Sequence, residues 1–289
     1  KERAARLKAQ EEARIAKEKQ REEMRIAREK AAKLAKIEKE KAAKAKAKER
    51  ERKAKELADT VVVSIFVNPT QFGPNEDFDK YPRQLEEDAA KCEAAGADAV
   101  FAPSVSDIYR PDASTYVNEE DISRYLCGKT RPKHFRGVTT IVTILFNIVR
   151  PDIAVFGEKD AQQVSIIKRM VRDLFMGVEI VTGEIVRDEN GLALSSRNKY
   201  LDKMERLGAS RLHAALEDGR RLCIEGCSNV DRIKAHVINK VTNAKTRVIY
   251  VEIVDAETSL PMLEAVPGKS RISAAIWYGQ TRLIDNIRI

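Results

Sequence analysis

The chain has 289 residues, enough for one large or two modest domains, and its formal net charge of +8 is unevenly spread. Residues 1–58 hold 22 Lys and Arg against 12 Glu, a net +10, and the other 231 residues carry only −2, so the basic character belongs to a tail and not to a patch within a fold. With no run of about eighteen apolar residues, no apolar leader region and four Cys, the sequence points away from a nucleic-acid-binding domain, a membrane span, a secretory signal and a disulfide scaffold.

Residues 1–58 contain fifteen Ala, no Gly and no Pro. Ala, Lys, Glu and Arg are strong helix formers, so a long charged helix or a disordered tail is expected. Leu7, Ile15, Met24, Ile26, Leu34, Ile37 and Leu57 keep no heptad spacing, which argues against a coiled coil. A solvated helix, a basic arm touching RNA or anionic lipid non-specifically, and a partner-binding helix all remain open.

Composition changes at Asp59. Val61–Val67 is a continuous apolar, β-branched run, the pattern of a strand buried on both faces of a parallel sheet, and it stops at Asn68-Pro69. A helix follows from about Pro82 to Ala95, with Glu86, Glu87 and Asp88 in its first turns and Gly96 past its end. Residues 99–102 form a short strand, 138–149 a strongly apolar helix, 153–156 a strand, 161–174 a helix and 178–181 a strand. This alternation predicts a Rossmann-like parallel α/β domain over 59–187. Helices at about 206–224 and 230–245 then precede strand-like runs at 248–254, 270–277 and 281–289, which predicts a smaller C-terminal α+β domain over 188–289.

Ligands of open α/β sheets bind beyond the carboxyl ends of strands. Three polar loops are expected there. Asn68-Pro69-Thr70-Gln71-Phe72-Gly73 follows the first strand and offers uncharged amides suited to a small polar substrate. Gly157-Glu158-Lys159-Asp160 follows a later strand. Gly157 permits close backbone approach, the next helix N-terminus favours an anion and Lys159 adds a point charge for phosphate. Leu194-Ser195-Ser196-Arg197 supplies two hydroxyls and a guanidinium fork for a triphosphate. Each loop alone also reads as an ordinary surface turn or cap; together they point to a nucleotide-using site.

The other polar residues read blandly. His134 sits in a basic loop, Arg131 to Gly137, that could meet an acid, whereas His213 and His236 fall inside helical patterns. Cys223 and Cys227 stand four apart on a helix with no further ligand nearby, so no metal site is expected there.

Five segments taken together resemble the pantoate–β-alanine ligase (pantothenate synthetase) family. They are Phe66–Asp77 (FVNPTQFGPNED), His134–Val138 (HFRGV), Phe156–Gln163 (FGEKDAQQ), Gly191–Asn198 (GLALSSRN) and Thr281–Asn286 (TRLIDN). The resemblance covers about Asp59 to Ile289. It implies a cytoplasmic homodimer that uses ATP, with Mg²⁺ assisting, to convert pantoate to pantoyl adenylate and pyrophosphate. The amine of β-alanine then displaces AMP to give pantothenate.

The resemblance also implies site residues. Gln71 and Gln163 hold pantoate. Gly157, Glu158, Lys159, Asp160, Val186, Leu194, Ser195, Ser196 and Arg197 hold ATP, with Lys159, Ser195, Ser196 and Arg197 neutralising the phosphates in the reaction. Asn68, Tyr81, Arg131 and His134 are candidates on the β-alanine side, and Asp88 is a candidate for touching Mg²⁺ against the plainer reading of an acidic first helical turn.

One departure stands out. The family opens with a strand and a Met-Gly-x-Leu-His-x-Gly-His loop, and the charged tail occupies that stretch here. The expectation is an open apolar strand edge at 61–67 and weak or absent ligase activity. A non-catalytic remnant that displays its charged helix to a partner is the rival reading, and a related nucleotidyltransferase a third. No specific nucleic-acid or membrane partner is expected.

Overall fold

A computed structural model describes residues 57–74 and 76–289. All but Leu57 and Ala58 of the charged tail therefore lies outside the described residues. The described residues fall in one compact unit.

Strand β1 (Val62–Ser64) pairs in parallel with β2 (Ala99–Phe101), in the register Val62 to Ala99, and helix α1 (Leu85–Ala94) connects them. Helix α2 (His134–Val149) leads into β3 (Ile153–Gly157), and α3 (Ala161–Asp173) crosses from β3 to the parallel β4 (Glu179–Gly183). Helices α4 (Arg211–Ile224) and α5 (Val230–Val241) precede a three-stranded antiparallel sheet of β5 (Thr246–Asp255), β6 (Ser270–Tyr278) and β7 (Thr281–Arg288), in that order. A two-residue loop joins β6 to β7, with Gly279 at φ 57° where a side chain would be strained.

Three expectations need correction. The parallel strands form two separate two-stranded sheets among the described residues, not one continuous sheet. Moreover, β1 is not buried on both faces: Val62 is 39% exposed. Among the described residues β2 is the one strand paired with β1. The helix expected at 206–224 is also two helices, Lys203–Ala209 and α4, meeting at Ser210.

Two apolar clusters organise the rest. The first is built from α2 and α3, with Val138, Ile141, Ile166 and Ile167 at its centre. The second packs Leu212, Leu216, Ile233 and Val237 of the α4–α5 pair against Ile253, Ile272 and Ile276 of the antiparallel sheet. Each such fully buried Ile or Leu contributes about 1.5–3 kcal/mol. Successive strand residues face opposite ways. Leu283 therefore joins the helix-pair cluster while Ile284, together with Tyr250, packs on the α2–α3 cluster. The sheet thus lies between the two cores, and its second face becomes one wall of the cavity described next.

Candidate active site

The Asn68–Gly73 loop is held from within. Asn68 is 2% exposed and caps a 3-10 turn, Pro69–Gln71, accepting from Thr70 N at 3.3 Å. Its Oδ1 also accepts from the Tyr109 hydroxyl at 2.8 Å, and its Nδ2 donates to the Gly137 carbonyl at 3.1 Å. Gly137 must be glycine for this docking, because a Cβ there would sit 2.6 Å from the Thr70 carbonyl oxygen. Asn68 is thus a fastener between the loop and α2, with its amide spent on the protein.

Beside it, His134 bridges two groups. Its Nδ1 donates to the Gln71 carbonyl at 2.8 Å, and its Nε2 faces Arg131 Nη1 at 3.0 Å and so accepts. Burial, then the Arg131 charge, lowers its pKa to about 4, so the ring is neutral at physiological pH. Arg131 in turn forks onto Glu76, with both bonds at 2.5 Å. Burial pushes the Glu76 carboxyl up, but the Arg131 bonds and charge outweigh it and hold it below the usual carboxylate range.

The Gly157–Asp160 turn ends β3. A Cβ on Gly157 would meet nothing within 4 Å, which leaves room for a ligand against the backbone. The Lys159 amine and the Asp160 carboxylate both border the cavity, and neither is tied to a protein partner by any hydrogen bond or ion pair seen among the described residues. Glu158 is different: Arg271 and Arg288 each donate to its Oε1 at 2.8 Å. Burial raises its pKa, yet those two guanidinium groups bring it below the ordinary value.

The adjacent glutamines divide the work. Gln162 is buried and spends its amide on the Cys127 backbone N–H at 3.0 Å and the Ile122 and Tyr125 carbonyls at 2.9 and 2.7 Å. Gln163, one step around α3, borders the cavity.

The third loop turns at Gly191, φ +88°, and is closed by Arg187 pairing with Ala193. Val186 contributes its carbonyl, which accepts from Leu194 N at 2.8 Å, while the Leu194 side chain is 40% exposed. Ser195 caps the 3-10 turn Ser196–Tyr200. Ser196 donates to the Tyr81 hydroxyl at 2.9 Å. Arg197 grips Asp77 with Nε and Nη2, at 2.9 and 2.7 Å, and lies 5.6 Å from the Tyr81 ring centre. A triphosphate would have to win that guanidinium from Asp77.

One cavity therefore gathers Arg131, His134, Lys159, Gln163, Ser195 and Arg197. Gln71 lines an adjoining cavity that shares Arg131 and His134 as its wall. Asn68 lines neither, and Asp88 lies on the exposed face of α1, where it pairs with Lys91 at 2.7 Å.

Sequence reasoning assigned no role to three residues on the cavity wall. Cys127 Sγ is 3.2 Å from the Tyr250 hydroxyl, and Arg282 Nη2 donates to the same sulfur at 3.4 Å. Burial pushes the Tyr250 phenol well above its usual range, so it stays protonated. Arg282 stood within a segment that carried the resemblance; Tyr250 had no signal beyond a strand pattern.

The sequence matches the family model described as Pantoate-beta-alanine ligase over residues 49–288. A pantothenate synthetase of Acetivibrio thermocellus is 54% identical over 230 residues, 79% of this chain and 82% of that protein. One of Fervidobacterium nodosum is 52% identical over 231 residues, 80% of this chain and 82% of that protein. Among solved structures, the pantothenate synthetase of Thermus thermophilus superposes with a TM-score of 0.78 at 43% identity, covering 82% of this chain and 86% of that one. The pantoate-beta-alanine ligase of Francisella tularensis, complexed with beta-gamma ATP and beta-alanine, superposes with a TM-score of 0.65 at 33% identity, covering 82% of each chain.

Proposed function

This chain belongs to the pantoate–β-alanine ligase family, and from that membership we propose that it condenses pantoate with β-alanine at the expense of ATP. The pantoate carboxylate attacks the α-phosphorus of ATP, forming pantoyl adenylate and releasing pyrophosphate. The β-alanine amine then attacks the acyl carbon and expels AMP. The observation that carries the reading is the convergence of Lys159, Ser195 and Arg197 on one cavity with Gln163.

In this reading the Lys159 ammonium and the Arg197 fork neutralise charge as it builds on the leaving pyrophosphate. Ser195 adds a hydroxyl donor, Ser196 would add one only by leaving the Tyr81 hydroxyl, and the Gly157–Asp160 turn lets the backbone approach the nucleotide. Val186 and Leu194 frame the nucleotide by backbone and apolar contact. Gln163 and Gln71 orient pantoate from the two sides of the Arg131–His134 wall. The neutral His134 ring is no general acid at physiological pH; with Arg131 it holds the loop that carries Gln71, and Tyr81 braces Ser196 and Arg197.

A magnesium ion would arrive with the triphosphate. Among the described residues no group of three or more His, Cys, Asp or Glu is arranged to hold a metal by itself. Asp160, a cavity residue with no salt bridge among the described residues, fits the usual pattern of one or two carboxylates plus substrate phosphates. The ion would supply charge neutralisation on the phosphates.

The reading extends to a cytoplasmic homodimer and to a division near residue 187, which the two separate apolar clusters support. No helix among the described residues is long and apolar enough to cross a membrane.

The test is an assay of pyrophosphate release from ATP with pantoate, followed by mass detection of pantothenate after β-alanine is added. Product that requires all three substrates supports the proposal. Binding of ATP and pantoate without any product would return the non-catalytic reading.

A further inference from the structure

Two adjacent side chains of β7 reach both of the loops assigned to phosphate binding. Asn286 donates from Nδ2 to the carbonyls of Glu158 and Lys159, at 3.0 and 3.1 Å, and its Oδ1 accepts from Arg271 Nη1. Asp285 accepts from Arg187 Nη1 and Nη2 at 2.6 and 2.9 Å. Arg187 Nη1 also donates to the Gly191 carbonyl at 3.0 Å, and the Arg187 backbone pairs with Ala193 at the base of the third loop. Asp285, Asn286 and Arg271 are 4%, 3% and 2% exposed.

Past Gly157 the first loop leaves the sheet, and the third is closed on itself by backbone bonds around Gly191, so side chains set how the two loops are spaced from each other. The anchor is rigid, because β7 is hydrogen-bonded to β6 along its length, from Arg288 opposite Arg271 to Thr281 opposite Tyr278. Buried polar groups on a strand cost free energy unless they are fully bonded, and apolar residues would serve packing alone better. Here Asn286 bonds one loop backbone directly, and Asp285 reaches the other through the Arg187 guanidinium.

The geometry points to Asp285–Asn286 as a clamp that fixes the spacing between the Lys159 turn and the Ser195–Arg197 loop, and with it the grip on the triphosphate. This rests on the ligase reading of the site. Both are positioning residues: they act through the loops and not on the phosphates. Preorganised donors work only if their separation is set before the ligand arrives, and a shift of about 1 Å can cost a hundredfold.

The test uses the full chain, titrated calorimetrically with Mg-ATP and separately with pantoate. Asn286→Asp keeps the acceptor for Arg271 but turns a carboxylate oxygen toward two carbonyls. Arg187→Lys keeps the charge but loses the fork. Ile272→Val trims a methyl group from the core of the same sheet as a control for plain destabilisation.

Both clamp variants are expected to weaken ATP about ten- to a hundredfold, with pantoate changed less than about threefold, while the Ile272→Val control leaves ATP within about twofold. Amide hydrogen exchange should quicken together in residues 157–160 and 191–195. A folded Asn286→Asp protein that binds ATP as the parent does, or a pantoate loss equal to the ATP loss, overturns the clamp; if that variant does not fold, Arg187→Lys decides by the same criteria. A parent protein that binds no ATP overturns the ligase reading itself.

Discussion

At the scale of single residues, chemistry in this site is decided by which side chains are already spoken for. Glu158 and Lys159 are neighbours in one motif, yet Glu158 is paired with two arginines and Lys159 meets no acid among the described residues. Lys159→Ala should therefore lower kcat/KM for ATP about a hundredfold, read by pyrophosphate release, with the melting temperature nearly unchanged. His134 makes a pH prediction. Its ring accepts a proton near pH 4 in the folded chain, against the 6.5 of an unperturbed histidine, because burial and Arg131 outweigh the Gln71 carbonyl and Glu76, with Arg282 opposing the charge as well. Between those values the unfolded chain binds more protons, so stability falls as pH drops from about 6.5 towards 4. Denaturant unfolding at pH 7 and pH 4.5 should show this group alone removing about 2–3 kcal/mol, and a His134→Asn variant should lack that part of the loss. The sequence marked both residues as candidates; only the partners separate a ligand-facing Lys159 from a structural His134. Asn68 teaches the same lesson, since its amide type suits a substrate while its five bonds hold a loop.

Among elements, local pattern was a good guide wherever helix or strand is set by near neighbours. The apolar run at 138–149 and the acids in the first turn of α1 placed both helices, though α2 starts earlier, at His134. The pattern misled at Val61–Val67, because burial of a strand depends on what lies beside it and not on its own side chains. Gly137 ties an element to the site. Replacing it by Ala puts a Cβ 2.6 Å from the Thr70 carbonyl and 2.8 Å from Gln71 N, so α2 must back away from the loop. Gly137→Ala should cost about 1–3 kcal/mol by thermal melting and weaken pantoate more than ATP by calorimetry. Equal losses for the two ligands would disconnect this contact from Gln71.

For the whole molecule, the antiparallel sheet is the joint. Its alternation sends Leu283 to one core and Ile284 to the other, and the same strand carries Asp285 and Asn286 to the loops. The body should therefore unfold in one calorimetric transition, and Ile284→Ala should broaden or split it by weakening the seam, at a cost of about 2–5 kcal/mol. A single sharp transition in that variant would place the coupling elsewhere.

Taken by itself, the sequence determined the order of strands and helices, the break in composition at Asp59 and the five motifs that mark the family, since each depends on residue types at short spacing. Only the tertiary structure decided that the parallel strands stand as two pairs, that Gln71 and Gln163 line two cavities with a common wall, and that Arg197 is held by Asp77. Those outcomes turn on contacts between residues up to 120 positions apart, and no local pattern encodes which distant group a side chain will meet.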